Sequence, residues 1–192
     1  MQFLLLFLCT FPYNKRYRTG GGMMLERVAA DKLQLDVFSV FGTNNGLLMA
    51  GDTDDARVMT VGWANLGRTW NIPTCIVYVR PERYTYEYME THEYFSLSVL
   101  PMKQHDKVIY CGIHSGRDTD KIKDCDFSLQ YGMGDTPLID TAEWALVCKK
   151  LYVQDLSPQG VTDSRVLRSY TREGWHRMYI GQVVEAYRQK TE

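Results

Sequence analysis

A chain of 192 residues with 45% apolar residues is long enough for one domain with a full core, with no need of disulfides. Its formal net charge of −1 excludes the global basic excess that drives nucleic-acid binding, so any anion site must be local. The five cysteines (Cys9, Cys75, Cys111, Cys125, Cys148) are odd in number, widely spaced and without C-x-x-C, and read as reduced thiols of a cytosolic protein.

From Phe3 to Phe11 the chain is nearly all apolar, followed by Pro12 and the basic stretch Lys15-Arg16-Tyr17-Arg18. The run is too short to span a bilayer. No Lys or Arg precedes it and no small-residue cleavage site follows, so it makes a poor signal peptide. Residues 1–22 therefore read as an extension upstream of a single domain, 23–192, which is expected in the cytoplasm and away from membranes.

Leu35 to Phe41 and Gly46 to Ala50 flank Thr43-Asn44-Asn45-Gly46, a short hairpin signal. Gly51 to Asp55 is a second turn. Val58 to Leu66 and Thr74 to Val79 read as strands, the latter closed by Pro81. Tyr84 to His92 suits a short helix. Tyr94 to Leu100 is a strand in which Phe95, Leu97 and Val99 alternate with Tyr94, Ser96 and Ser98. Lys103 to His114 reads as a helix and Arg117 to Asp124 as a second helical piece. Phe127 to Tyr131 is a short strand before the Gly132-Met133-Gly134-Asp135 turn. Ala142 to Val153 is a long strand, Asp163 to Tyr170 a helical excursion, and Met178 to Tyr187 the last strand. Cys75 and Cys148 fall in strand-like apolar runs and read as small core residues. The order lacks βαβ alternation, which argues against a doubly wound sheet and for a closed or partly closed antiparallel barrel with appended helices.

Three segments carry phosphate-binding residue types at element ends: Met59-Thr60-Val61-Gly62-Trp63, Arg80-Pro81-Glu82-Arg83-Tyr84-Thr85, and Ser115-Gly116-Arg117-Asp118-Thr119-Asp120-Lys121. A phosphate dianion takes free N–H donors, a hydroxyl and a cation, and such places supply them. Each segment also has a plain structural reading. Ser115 to Asp118 matches a capping box, Arg80 and Arg83 could pair with Glu82 and Glu87, and Thr60 and Trp63 could be ordinary strand and core residues. There is no G-x-G-x-x-G, Walker-type lysine, G-x-S-x-G or H-E-x-x-H. Cys111 and His114, at i and i+3, are two residues and do not make a metal site.

With these segments the chain resembles the flavin reductase-like family of FMN-binding split barrels, most of all its flavoredoxin branch. The likeness runs from about Gly51 to Val184. It rests on Met59-Thr60-x-x-Trp63, Val79-Arg80-Pro81-x-Arg83-Tyr84-Thr85, Cys111-Gly112-x-x-Ser115-Gly116-Arg117-Asp118-x-Asp120-Lys121 and His176 to Gly181, in that order. The resemblance implies a mainly β fold, a six-stranded antiparallel split β-barrel, and a homodimer with FMN held non-covalently near the subunit interface. It implies that Arg80, Arg83 and Thr85 hold the phosphate and that Ser115 to Lys121 close over phosphate and ribityl chain. Met59 to Trp63 would run beside the isoalloxazine. The family often carries Asn two residues before the Met-Thr pair, where this chain has Arg57. The implied activity is reductase chemistry, with NAD(P)H as transient donor and reduced FMN passing electrons to an acceptor. The rival readings are an FMN electron carrier reduced by a redox protein partner and a non-catalytic flavin-binding barrel. No acid–base residue is assigned; His176 is a candidate only from its segment.

Overall fold

Strand-forming runs organise the chain, and the computed structural model describes residues 25–171 and 174–190. The expected extension over residues 1–22, with Cys9, lies outside the described residues. The strands are β1 (Leu25–Val28), β2 (Gly46–Gly51), β3 (Ala56–Val61), β4 (Ala64–Thr69), β5 (Ile72–Val79), β6 (Tyr94–Val99), β7 (Leu129–Tyr131), β8 (Pro137–Ile139), β9 (Trp144–Asp155) and β10 (Arg177–Gln189). Eight form one antiparallel sheet in the order β3-β2-β6-β9-β10-β5-β4, with β1 added on β10; β7 and β8 pair separately. The sheet wraps one apolar core, to which β3, β5, β6, β9 and β10 all contribute. Its two end strands, β3 and β4, are consecutive in sequence and are not ladder partners, so the barrel is split between them, at Gly62 and Trp63. This is the expected split barrel, with two strands more in the sheet than the six expected.

Alternation decides which residues enter the barrel. Phe95, Leu97 and Val99 of β6 do so, as their spacing predicts. In β2, Leu48 and Ala50 face the barrel while Leu47 and Met49 join a second core with Val108 and Cys111. Both faces of β2 are thus covered, so it reads as an unbroken apolar run rather than an alternating one. Gly181 lies at an irregularity of the β9–β10 ladder, and a Cβ there would come 2.7 Å from the Phe95 ring. Cys75 and Cys148 are buried in the barrel as expected. Cys111 and Cys125 are buried in the second core with their sulfurs 3.9 Å apart.

The helices are α1 (Val37–Ser39), α2 (Thr85–Thr91), α3 (His105–Ile113) and α4 (Lys121–Asp124). The first corrects the sequence reading. Leu35 to Phe41 is not the first strand of a hairpin: α1 occupies it and continues as a π-helical turn, Val40–Asn44. Asp36 accepts from the Ser39 N–H and starts the helix. Asn45, at φ 65°, ends it, while the buried Asn44 amide donates to the Leu100 carbonyl at 2.7 Å. The Asn-Asn-Gly run is therefore a helix terminator. The β2–β3 turn is the one expected at Gly51 to Asp55, with the Asp52 carboxylate accepting from Asp54 and Asp55 N–H at 2.9 and 3.1 Å. The expected strand Val58 to Leu66 breaks into β3 and β4. The helical piece expected from Arg117 begins only at Lys121, with Asp120 as its cap. Among the described residues, no helix is long and apolar enough to cross a membrane.

Candidate functional site

Strand β3 has its free edge at the split, and α3 is laid against it. The Thr60 hydroxyl donates to the Val108 carbonyl at 2.5 Å. Gly112 faces the same threonine, where a Cβ would be 3.4 Å from the Thr60 side chain. Thr60 is thus a clamp between strand and helix. Along β3, from Trp63 back to Ala56, runs a trough of three adjoining clefts.

The first cleft, about 230 Å³, is lined by Met59 to Trp63 with Tyr78, Arg80, Arg83 and His176. Met59 and Val61 also anchor the barrel core, which fixes the strand beneath the cleft. Gly62 and Trp63 lie between β3 and β4 and pair with no strand. Trp63 is 45% exposed, so it is not a core residue. Its ring lies 4.6 Å from that of His176. Arg80 Nε donates to His176 Nε2 at 3.3 Å, and His176 Nδ1 meets the Tyr170 hydroxyl at 3.2 Å. A neutral ring with Nε2 accepting carries its proton on Nδ1. Arg80 also donates to the carbonyls of Ser169 and Gly174, at 2.9 and 3.4 Å. Much of its guanidinium thus holds Ser169, Gly174 and His176.

The second cleft, about 120 Å³, brings together Thr60, Arg83, Tyr84, Thr85, Ser115, Gly116 and Lys121. Two of the three segments expected to bind phosphate meet here, across the strand supplied by the third. The Arg83 guanidinium is exposed and has no hydrogen-bond or ion-pair partner among the described residues. Lys121 is 6% exposed, and its ammonium donates to the Cys111 and His114 carbonyls at 3.0 and 3.3 Å, closing the end of α3. Burial lowers its pKa, and the neighbouring Arg83 charge lowers it further. Glu82, also at this cleft, is tied to the Gly174 N–H at 2.9 Å. Two cations thus face each other across the cleft, with the Glu82 carboxylate, held below its usual pKa by a backbone N–H and by the Arg80 and Arg83 charges, beside them. Ser115 does not cap a helix with Asp118 reaching back, as the capping-box reading has it. Its carbonyl accepts from Asp118 and Thr119 N–H at 3.1 and 3.3 Å, and its hydroxyl accepts from Arg117 N–H at 3.2 Å, forming a tight turn. At Gly116, a Cβ would stand 3.2 Å from the Tyr84 ring and 3.7 Å from Lys121 Cε. A side chain at that position would narrow the cleft.

The third cleft, about 280 Å³, lies beyond Gly116 and Lys121, between Arg57 and the Arg117–Ile122 turn. Arg57 is ion-paired with Asp55 and donates to the Ala56 carbonyl at 2.8 Å. Its guanidinium lies over the Tyr84 and Tyr88 rings, 5.3 and 5.0 Å from their centroids. Arg117 also lies over Tyr84, at 4.8 Å, and pairs with Glu87. The sequence reading singled out Arg57 only as a departure. The signal that it lines the trough is its place on β3, two residues before Met59. Cys111 and His114 do not converge as a ligand pair: Cys111 faces Cys125, while the His114 ring stacks on Tyr110 at 3.9 Å.

The family described as "Flavin reductase like domain" matches residues 38–192, and the chain belongs to that family. Among solved structures, flavoredoxin from Methanosarcina acetivorans is similar at 24% identity and TM-score 0.62, covering 77% of this chain and 69% of that one. An FMN-binding domain of a flavin reductases-like enzyme from Shewanella baltica gives 18% identity and TM-score 0.62, covering 88% and 78%. An NADH:FAD oxidoreductase from Streptomyces globisporus gives 18% and 0.58, covering 76% and 75%. No curated protein matches the chain significantly. At these identities the structural likenesses establish the fold, the split barrel.

Proposed function

We propose that the trough along β3 binds FMN non-covalently and that the protein is a flavin-dependent oxidoreductase, moving electrons from NAD(P)H to an acceptor. The observation that carries this reading is the second cleft, where the Arg83 guanidinium, held by no hydrogen bond or ion pair among the described residues, faces buried Lys121 beside Gly116. That is a cradle for one phosphate dianion. Arg83 binds the phosphate through its guanidinium, Thr85 and Ser115 offer hydroxyls, and Lys121 adds a desolvated charge. Gly62 and Trp63, outside any ladder, turn backbone groups toward the polar edge of the ring system. Met59 and Val61 hold that edge in place from the core. FMN itself, when bound, supplies the acceptance of a hydride or of single electrons. Trp63 and His176 form the aromatic wall at that end, and Arg80 donates to His176 Nε2. Support for a homodimer lies in the exposed Trp70 and the exposed Leu151, Tyr152 and Val153 of β9, with Trp70 6.4 Å from Tyr152. Such a patch suits a second copy, and light scattering of the purified protein checks it, with a dimer mass expected.

The reductase reading is tested by anaerobic titration of the FMN-loaded protein with NADH and NADPH. Bleaching of the flavin absorption by one of them, followed by turnover with added acceptor, is expected. If neither nucleotide bleaches it while a ferredoxin-like donor does, the protein is an electron carrier instead.

A further inference from the structure

Going beyond the flavin reading, and resting on it only where FMN is concerned, we infer that Cys111 and Cys125 form a reversible disulfide that clasps the base of the turn lining the second cleft. Their sulfurs lie 3.9 Å apart, and the residues are 14 apart in sequence. Between them run His114, Ser115, Gly116 and Lys121, all of which line that cleft. The pair thus stands at the two ends of the segment expected to close over the phosphate. Existing contacts already draw those ends together. Lys121 donates to the Cys111 carbonyl at 3.0 Å, and the Cys125 N–H donates to the Lys121 carbonyl at 3.1 Å. A disulfide brings the sulfurs to about 2 Å, and the element that has to give is α4, only four residues long. Cys75 and Cys148 are sealed in the barrel core, away from this pair.

The two thiols are not equivalent. Cys111 is the deeper, 1% against 6% exposed, and burial pushes its thiol up to about 12. Burial also raises Cys125, but a hydrogen bond from Cys111 and the Lys107 charge pull the other way. Cys125 is therefore the thiolate that attacks first. The oxidant is hydrogen peroxide, the product when dioxygen reoxidises a reduced flavin. The Cys125 sulfur breaks the O–O bond, becomes a sulfenic acid and releases one water. The Cys111 sulfur then attacks the sulfenic sulfur, and its proton leaves with the hydroxyl as a second water. Two thiols are oxidised to one disulfide, and one peroxide is reduced to two waters. A dithiol reverses the step, so in a reducing compartment the bond is transient and reports oxidant. The closed turn has less freedom left to lose when FMN binds, so the oxidised protein holds FMN longer.

The test treats the full chain, loaded with FMN, with hydrogen peroxide, blocks the remaining thiols and maps the digested peptides by mass, with fragmentation to place the bond. The peptides holding Cys111 and Cys125 are expected joined, and dithiothreitol separates them. The urea midpoint rises with the bond in place, and FMN release, followed by flavin fluorescence, slows several-fold. Cys125→Ala loses all three responses. Should that variant not fold, reversal of the midpoint and of FMN release by dithiothreitol in the unaltered protein serves instead. Free Cys111 and Cys125 after peroxide overturn the inference, as does Cys111 joined to another cysteine. A disulfide at this pair with FMN release unchanged overturns the clasp. If the protein binds no FMN, the flavin reading alone fails, because the joined peptides and the urea midpoint are read without flavin.

Discussion

At the scale of single residues, what separates one arginine from another is what already holds it. Arg83 has no hydrogen-bond or ion-pair partner among the described residues and faces a buried ammonium, whereas Arg57 is paired with Asp55 and stacked on two tyrosines. Arg83→Ala should therefore weaken FMN binding tenfold or more, the worth of about 1.5–3 kcal/mol for a charge-assisted hydrogen bond. Arg57→Ala should change it far less, since an exposed pair contributes about 0.2–1 kcal/mol. Calorimetry on the two folded apo-variants checks this, and equal losses would move the phosphate site away from Arg83. That Arg83, Ser115 and Lys121 merit attention was legible because they stand in recognisable segments, and the fold brings them to one cleft. Their pairings were not. That Arg80 holds Ser169, Gly174 and His176, and that Lys121 closes α3, depends on contacts far apart in sequence or across a turn, which no local pattern records.

At the scale of elements, local chemistry gave the right element wherever period and punctuation agreed. Strand β6 and helices α2 and α3 lie where alternation and flanking prolines put them. The reading failed at Leu35 to Phe41 because an Asn-Gly pair serves hairpins and helix ends alike. The choice was made by Asp36 capping the first turn and by Asn44 bonding Leu100 across the fold. The β4–β5 turn was silent in sequence: Trp70 and Asn71 both take positive φ, with no glycine to announce it. The glycine of the last signature has a packing reason. Gly181 opposes the Phe95 ring, and a Cβ would come within 2.7 Å of it. Gly181→Ala should destabilise the protein by about 1–3 kcal/mol, as overpacking does. Urea unfolding should show a lower midpoint with an unchanged slope; an unshifted midpoint would mean that the ladder irregularity relaxes around the methyl.

At the scale of the whole molecule, the split in the barrel is what lets one strand serve both core and site. β3 lends Met59 and Val61 to the interior and runs its length along the trough. Buried phenols in both cores lower stability at alkaline pH. Tyr179 and Tyr187 are buried and donate to Glu90 and Glu185 at 2.6 and 2.8 Å. Burial, together with those carboxylates, pushes both phenols above their usual value near 10. Below pH 10 native and unfolded chains hold the same phenol protons. Above it the unfolded chain releases them and the native chain does not, so stability falls as pH rises, by up to about 1.4 kcal/mol per pH unit for each group. Thermal midpoints measured from pH 8 to 11 should begin to drop from about pH 9, where the buried Cys111 and Cys148 thiols, also raised by burial, come into play, and drop more steeply above about pH 10; Tyr179→Phe should flatten that steeper part. The central claim, that the protein holds its flavin by the phosphate, is tested most directly by titrating the apo-protein with FMN and with riboflavin under the same conditions. The account predicts that FMN binds at least a hundredfold more tightly, because Arg83, Ser115 and Lys121 each have a phosphate oxygen to meet only in FMN. Equal affinity for the two flavins would contradict it.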